Sequence, residues 1–133
     1  MLSSKPRLLE KLNHDLIGWL TTVSPAGQPQ TSPVWFLVEE EDLIVYSQPS
    51  TAKLRNIGFN PKVAFNLRGD AEGGDVVTME GHASIEPDAP LADQIPSYVD
   101  KYGAMISSYG WTAESFARDY SVRIRIRPTR VRS

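Results

Sequence analysis

Apolar positions recur with two periods along the chain, and each change of period marks a predicted element. Leu8, Leu9 and Leu12 recur at helical spacing after Pro6, which predicts a short amphipathic helix over residues 6–14. Extended runs rich in β-branched and aromatic residues follow, and turn signals separate them. These runs predict three strands that form a meander, at residues 16–23, 31–38 and 43–47.

Strand and helix periods continue to alternate in the rest of the chain. Residues 77–86 show the clearest strand pattern, with Val77, Met79, Gly81, Ala83 and Ile85 predicted to face the core. The other predicted strands are 62–68 and 121–127, and the predicted helices are 52–58, 91–108 and about 112–120. Six strands with few helices predict a mainly β fold, a closed or nearly closed antiparallel barrel that forms a single domain over residues 1–133.

Charge is distributed unevenly along the chain. Six of the 14 lysines and arginines lie in the last 16 residues, where Asp119 is the only acid. Arg123, Arg125 and Arg127 alternate with apolar residues, so we expect these arginines to line an exposed face of the last strand. Such a stripe can bind nucleic-acid phosphates. The rest of the chain is acidic and no aromatic platform accompanies the arginines, so we expect no nucleic-acid partner.

Composition excludes several kinds of catalysis. The chain has no cysteine, and its two histidines, His14 and His82, lie far apart, so we expect no metal site and no catalytic histidine. The carboxylates of Glu39 to Asp42 are expected in a solvated turn, and residues 69–74 in a hairpin loop. No stretch is apolar enough for a signal peptide or a membrane span, which favours a cytoplasmic protein. We therefore predict no catalytic side chain.

One constellation of polar residues points to an anion site. It begins where the third strand ends and continues into the next helix, whose N-terminus offers free backbone N–H groups and the positive end of the helix dipole. Its members are Ser47, Gln48, Ser50, Thr51, Lys53, Arg55 and Asn56. The alternative interpretation is an ordinary capped surface helix.

The order of several runs resembles the split β-barrel superfamily of pyridoxamine 5′-phosphate oxidase-like flavoproteins, within it the branch that uses the deazaflavin coenzyme F420. The runs are residues 17–36 (IGWLTTVSPAGQPQTSPVWF), 43–47 (LIVYS), 53–57 (KLRNI), 80–83 (EGHA) and 119–131 (DYSVRIRIRPTRV). The resemblance covers nearly the whole chain. It implies a split antiparallel barrel that forms a homodimer, with two cofactor clefts at the interface.

The resemblance also assigns candidate cofactor-binding residues. Gln30, Thr31 and Ser32 match the stretch that faces the ring and ribityl chain in such proteins. Ser47 and Gln48 match the contacts to the ring and phosphate region, Lys53 the phosphate-binding lysine, and Asn56 an asparagine of the same helix. The flavin-using oxidases have arginines where this chain has Ala52 and Thr31, and a polar contact where it has Val76. These departures favour coenzyme F420 over FMN.

The activity that the resemblance implies is hydride transfer between the reduced deazaflavin and a small unsaturated substrate. The cofactor supplies that chemistry, in agreement with the absence of predicted catalytic groups. Three alternatives stay open: an FMN-binding protein of the same fold, a non-enzymatic cofactor-binding module, and, least favoured, nucleic-acid binding.

The aromatic residues bear on the predicted homodimer. The run at residues 31–38 is apolar on both faces, so one face is expected to fill the barrel and the face with Trp35 and Leu37 to need a partner. Cover by the chain's own helices is the alternative for Trp35. Trp111 is either a packing residue or part of a cleft wall.

Overall fold

The computed structural model describes all 133 residues and shows one antiparallel sheet with four helices around it. The strands are β1 (Gly18–Val23), β2 (Pro29–Val34), β3 (Leu37–Glu39), β4 (Asp42–Ser47), β5 (Lys62–Leu67), β6 (Thr78–Ile85) and β7 (Val122–Arg132). The helices are α1 (Pro6–His14), α2 (Ala52–Phe59), α3 (Pro96–Ser108) and α4 (Ala113–Asp119). None of the four helices is long and apolar enough to cross a membrane.

The predicted helix over residues 91–108 is divided in two. A short 3-10 turn, Ala92–Gln94, comes first, and α3 begins only at Pro96. Proline restricts the residue before it to extended backbone, and Ile95 has φ −114° and ψ 102°. The helix therefore starts at the proline, which suits a first helical position because its missing N–H has no helical partner there.

The predicted single strand over residues 31–38 is wrong, because the chain leaves the sheet between Val34 and Leu37. At this break the backbone of Phe36 bonds to side chains of α3. Tyr102 Oη accepts a hydrogen bond from the Phe36 N–H at 2.7 Å, and Lys101 Nζ donates to the Phe36 carbonyl at 2.9 Å. Both backbone groups that a neighbouring strand would need are thus occupied. The sheet has seven strands rather than the predicted six.

The strand order is β2-β1-β5-β6-β7-β4-β3, which overturns the predicted meander. The β1–β2 hairpin lies at one edge of the sheet and the β3–β4 hairpin at the other. Because the chain breaks at Phe36, β2 and β4 do not pair. The two edge strands are not paired to each other either, so the barrel is split.

All seven strands contribute side chains to one interior, which confirms the predicted barrel. Leu20, Val45, Phe65 and Ile126 are at most 1% exposed there, and Leu12 of α1 packs against the same core. The inward pattern predicted for residues 77–86 holds for Val77, Met79, Gly81 and Ala83. It fails at Ile85, which is 38% exposed at the last position of the strand.

The outer face at Trp35 and Leu37 is covered by α3 and α4. Trp35 stacks on Tyr102 with ring centroids 4.8 Å apart and on Phe116 at 5.2 Å. Leu37 is buried in the same cluster as Tyr98. The prediction that this face needs a partner chain is therefore wrong, and the alternative, cover by the protein's own helices, is correct.

The arginines of β7 are not uniformly exposed, contrary to the prediction. Arg123 is 4% exposed and binds Glu39 and Glu86 at 2.7 and 2.9 Å. Arg125 binds both of these carboxylates and also Asp42, at 2.9 Å. Glu39 and Asp42, next to the β3–β4 turn, therefore form ion pairs with these arginines. The prediction that they lie in a solvated turn is wrong for these two residues.

Arg127 differs from its two neighbours in the alternation. Its side chain is 73% exposed and makes one longer contact, 3.5 Å to Asp42. The prediction of an exposed face is therefore right for Arg127 and wrong for Arg123 and Arg125. The cationic stripe that could have contacted nucleic-acid phosphates is neutralised over most of its length by carboxylates of the same chain.

Candidate functional site

A cleft of about 390 Å³ lies where the end of β4 and the start of α2 face the junction between α3 and α4. One wall is polar and is formed by Ser47, Gln48, Thr51 and Lys53. The opposite wall is aromatic. Ile17, Pro33, Val34 and Val45 contribute apolar contacts from the sheet. The cleft volume is within the range that small-molecule sites occupy.

Local turn geometry arranges the polar wall. β4 ends at Ser47, Ser50 turns the chain with a φ of +63°, and Thr51 is the N-cap residue before α2 begins at Ala52. Ser47 Oγ donates to the Gln48 carbonyl at 2.8 Å and lies 3.2 Å from Thr51 Oγ1. The Thr51 side chain makes no capping bond to the helix. The first N–H groups of α2 consequently have no side-chain partner and are available to an anion.

Lys53 is the one charged side chain in the cleft lining. It is half-buried and has neither a hydrogen-bond partner nor a carboxylate within salt-bridge distance. Burial lowers the pKa of its ammonium group, and no neighbouring acid opposes this effect. A buried cation without a counter-ion is unfavourable unless a ligand supplies the negative charge. The surroundings of Lys53 therefore fit the phosphate group of a cofactor.

The aromatic wall consists of Tyr109, Trp111, Phe116 and Tyr120. Tyr109 and Trp111 lie at the junction between α3 and α4, and the other two rings project from α4 and its C-terminal end. The sequence allows either a packing role or a place in a cleft wall for Trp111, and its side chain lies in the wall. The remaining members were not predicted, because they lie about 60 residues along the chain from the polar wall.

The other predicted site residues lie outside the cleft lining. Asn56 is 4% exposed, and its Nδ2 donates to Thr22 Oγ1 at 3.0 Å and to Gln30 Oε1 at 2.8 Å, so it joins α2 to β1 and β2. Arg55 is exposed and donates to the Ser50 carbonyl. Lys53 and Arg55 therefore have different surroundings, as expected for residues two apart on a helix.

Three predicted residues lie on β2, the edge strand next to the cleft. Gln30 and Thr31 are exposed, and Ser32 is half-buried. Thr31 Oγ1 lies 2.8 Å from Thr21 Oγ1 across the strand pair. Pro33 of the same strand reaches the cleft, so these residues lie along its border. Val76, also singled out in the sequence, is 47% exposed and outside the cleft.

The structure shows no group of three or more histidine, cysteine, aspartate or glutamate side chains placed to hold a metal ion. His14 lies at the end of α1 and His82 on the outer face of β6, and neither lines the cleft. The polar groups that line the cleft are the ammonium group of Lys53, the amide of Gln48 and hydroxyl groups.

The protein is thus a split antiparallel barrel with a cleft at the start of the helix after β4. The family model described as pyridoxamine 5′-phosphate oxidase matches residues 4–133, and the chain belongs to this family. No curated protein matches the chain.

Solved structures share the same fold over almost the whole chain. A conserved hypothetical protein of Mycobacterium tuberculosis aligns with a TM-score of 0.75 at 24% identity, covering 96% of this chain and 82% of that one. A protein named F420 reductase aligns with a TM-score of 0.67 at 28% identity, covering 92% and 94%. HutZ, a heme storage protein of Vibrio cholerae, aligns with a TM-score of 0.66 at 20% identity, covering 95% and 90%. Proteins named for F420 and for heme thus share this fold.

Proposed function

We propose that this protein is a coenzyme F420-dependent oxidoreductase that transfers a hydride between the reduced deazaflavin and a small unsaturated substrate. The observation that carries the proposal is the half-buried Lys53, which faces the cleft without a counter-ion. The 28% identical F420 reductase, which matches over most of both chains, supports the choice of cofactor.

Lys53 and the start of α2 are the proposed holders of the cofactor phosphate. The lysine contributes a charge, and the first N–H groups of α2 contribute directed hydrogen bonds. Ser47, Gln48 and Thr51 provide further polar groups in the same wall. In this proposal Gln30, Thr31 and Ser32 contact the cofactor from the adjoining strand β2, while Asn56 acts by holding α2 against β1 and β2.

The bound deazaflavin supplies the hydride chemistry, and the residues of the chain bind it, orient it and exclude water. The cleft lining contains no carboxylate and no histidine to act as a general acid or base. Tyr46, which also lines the cleft, has its pKa raised by burial and donates its hydroxyl to the Pro90 carbonyl, so it is engaged elsewhere. In this proposal water protonates the product.

A homodimer is part of the proposal. One protomer offers a cleft of about 390 Å³, which is small for a deazaflavin with its tail. The edge strand β2 is unpaired on one side, and Trp19 on the neighbouring strand is 39% exposed. A second copy packed along this border would enlarge the cleft and cover the exposed edge. Sedimentation velocity tests this step, and a monomer in the presence of saturating cofactor would contradict it.

FMN is the second candidate cofactor, because the family takes its name from the pyridoxamine 5′-phosphate oxidases. The FMN-using oxidases that the chain resembles have arginines at the positions of Ala52 and Thr31. The cleft lining contains no cation besides Lys53. An FMN phosphate would thus meet fewer charges here than in those proteins.

The test of the activity is oxidation of the reduced cofactor across a panel of conjugated acceptors. The reduced deazaflavin and reduced FMN are each mixed with purified protein under anaerobic conditions, and cofactor absorbance is followed after the acceptor is added. We expect protein-dependent oxidation of the deazaflavin. Oxidation of reduced FMN without oxidation of the reduced deazaflavin would show that FMN is the cofactor. Tight deazaflavin binding without turnover would show that the protein is a cofactor-binding module.

A further inference from the structure

Lys53 has a chemical capacity that anion binding does not use. Its amine lies in the lining of the cleft without a hydrogen-bond partner and without a carboxylate within salt-bridge distance. A neutral lysine amine has a free electron pair and is a nucleophile, whereas the ammonium form is not. Burial lowers the pKa of Lys53, and no neighbouring group opposes this effect. The surroundings of the side chain therefore favour its nucleophilic form.

Three of the other four lysines in the chain lack this combination. Lys5 and Lys62 are exposed, so water solvates their ammonium groups. Lys11 binds Asp15 at 3.3 Å and Asp75 at 3.1 Å, and the hydrogen bond to Asp75 is the main cause that raises its pKa. Hydration and ion pairing both stabilise the charged form of an amine, which does not react as a nucleophile.

Lys101 resembles Lys53 more closely, but its amine is engaged. Burial lowers its pKa from 10.5 to about 8. Its Nζ donates to the carbonyls of Leu12 and Phe36, both at 2.9 Å, and the residue does not line the cleft. A reagent could reach this amine only after both hydrogen bonds are broken. Lys53 is thus the lysine that combines a lowered pKa with an amine open to a cavity.

The cleft restricts an electrophile by size and by charge. Its volume is about 390 Å³, and Ile17, Val34 and Val45 line it with apolar surface from the sheet. An anionic compound would pair with the ammonium group and stabilise the form of Lys53 that cannot react. A cationic compound would find no carboxylate in the lining. Small uncharged aldehydes with an apolar body meet both restrictions, and aldehydes are the carbonyl compounds with which lysine amines condense.

We propose that Lys53 is a covalent modification site for small uncharged aldehydes, which condense with its amine in the cleft to form an imine. The nitrogen electron pair forms a bond to the carbonyl carbon, and the carbonyl oxygen takes one of the two nitrogen protons. The resulting carbinolamine loses its hydroxyl group and the second nitrogen proton as water while the C=N double bond forms. Nothing is oxidised or reduced, and water is the only other product.

The modification would regulate the proposed cofactor site. The imine replaces the ammonium group that we propose as the partner of the cofactor phosphate, and the alkyl chain of the aldehyde fills part of the cleft. Aldehyde and cofactor are therefore expected to exclude each other. This consequence rests on the proposed function, whereas formation of the imine does not.

The test uses butanal as the aldehyde and cyanoborohydride to reduce the imine to a stable butyl amine. Peptide mass spectrometry then measures the rate of butylation at each lysine in the same sample. We expect Lys53 to be labelled several-fold faster than Lys5 and Lys62, and we expect this preference to disappear in urea. Lys53→Arg keeps the positive charge but stays protonated, so it should remove the fast labelling. Lys62→Arg, at an exposed lysine outside the cleft, is the matched control and should leave it unchanged.

Several results would overturn the inference. Labelling of Lys53 no faster than that of Lys62 in the folded protein would show that the cleft does not activate the amine. A preference for Lys53 that persists in urea would assign it to the neighbouring sequence and not to the cleft. Labelling that is fastest at Lys101 would place the reactive amine between α1 and α3.

A second reaction with saturating coenzyme F420 separates this inference from the proposed function. We expect the cofactor to slow the labelling of Lys53 and leave that of Lys62 unchanged. Fast labelling of Lys53 that the cofactor does not slow would overturn the proposed position of the cofactor phosphate and support the modification site. Slow labelling of Lys53 in a protein whose cofactor affinity falls in Lys53→Ala would overturn only the modification site.

Discussion

Lys53 is the residue on which the proposed cofactor site depends. Its ammonium group lacks a counter-ion, and its burial lowers its pKa, so the free protein carries an unfavourable charge at this position. An anionic ligand would remove that cost and form charge-assisted hydrogen bonds. Two independent observations, the start of α2 and the lysine without a counter-ion, thus indicate an anionic ligand.

Replacing Lys53 with Ala is expected to weaken deazaflavin binding by roughly 1 to 3 kcal/mol, the range for a charge-assisted hydrogen bond. Calorimetric titration of the folded variant measures the change. Lys62→Ala is the matched control, because Lys62 is an exposed lysine of β5 outside the cleft. Wild-type affinity in Lys53→Ala would show that the phosphate binds elsewhere.

Lys101 is a second buried lysine, with a structural role. Its Nζ donates to the carbonyls of Leu12 and Phe36, both at 2.9 Å, and lies 3.8 Å from the centre of the Phe36 ring. Burial lowers its pKa from 10.5 to about 8, and the charge of Asp15 opposes this shift only in part. The contacts join α1 and α3 to the break between β2 and β3.

The lowered pKa of Lys101 predicts a pH dependence of stability. Above pH 8 the folded protein loses the Lys101 proton while the unfolded chain, with a pKa near 10.5, keeps it. The unfolded state then binds more protons, so this lysine makes the free energy of unfolding rise with pH between about 8 and 10. Urea unfolding at several pH values measures this rise, and Lys101→Met is expected to remove it. An equal rise in the variant would contradict the assignment.

At the scale of elements, β7 and the β3–β4 hairpin are held together by charge as well as by the sheet. Arg123 and Arg125 bind Glu39 from the hairpin and Glu86 from the end of β6, and hydrogen bonds from Arg125 lower the pKa of Glu86. Arg123 Nη1 also donates to the Tyr46 hydroxyl at 3.2 Å. These bonds form a connected network in which each charge has a partner of opposite sign.

Replacing Arg123 with Met is expected to lower the free energy of unfolding by about 2 to 3 kcal/mol, because it removes charged hydrogen bonds of a side chain that is 4% exposed. Glu39 and Glu86 keep their contacts to Arg125, which limits the loss. Arg127→Met, at a position 73% exposed, is expected to change stability by less than about 0.5 kcal/mol. Urea denaturation compares the two, and equal effects would contradict the role of the network.

Local elements were predictable from the sequence, and long-range contacts were not. The helical period gave α1 at residues 6–14 as observed, and the alternation over residues 77–86 identified a face that is buried from Val77 to Ala83. The break after β2 was missed, because it depends on Lys101 and Tyr102, which act across 65 and 66 positions. The alternation in β7 predicted that arginines and isoleucines lie on opposite faces of the strand. Which arginines are buried depends on the carboxylates of the β3–β4 hairpin, which lies far away in the sequence.

The candidate site shows the same division. Ser47, Gln48, Thr51 and Lys53 are close in the sequence, so a strand end followed by a helix start was enough to group them. The aromatic wall comes from the α3–α4 junction, whose position against the cleft results from the packing of both helices on Trp35 and Leu37.

At the scale of the whole molecule, the charge asymmetry along the chain is resolved within the fold. Four of the six arginines at the basic end pair with Glu39, Asp42, Glu80 or Glu86 of the body. The cleft combines one lysine without a counter-ion on its polar wall with aromatic rings on the opposite wall. The molecule is thus a split barrel whose distinctive surface is this cleft.

The central claim, that the cleft binds the deazaflavin through Lys53, is tested most directly by titrating the wild-type protein with coenzyme F420 and with FMN while following tryptophan fluorescence. Trp35 and Trp111 line the cleft, so a ligand bound there is expected to quench them. We predict saturable quenching by coenzyme F420 at lower concentrations than by FMN. A purified protein that is yellow with retained FMN and shows no quenching by the deazaflavin would contradict the account.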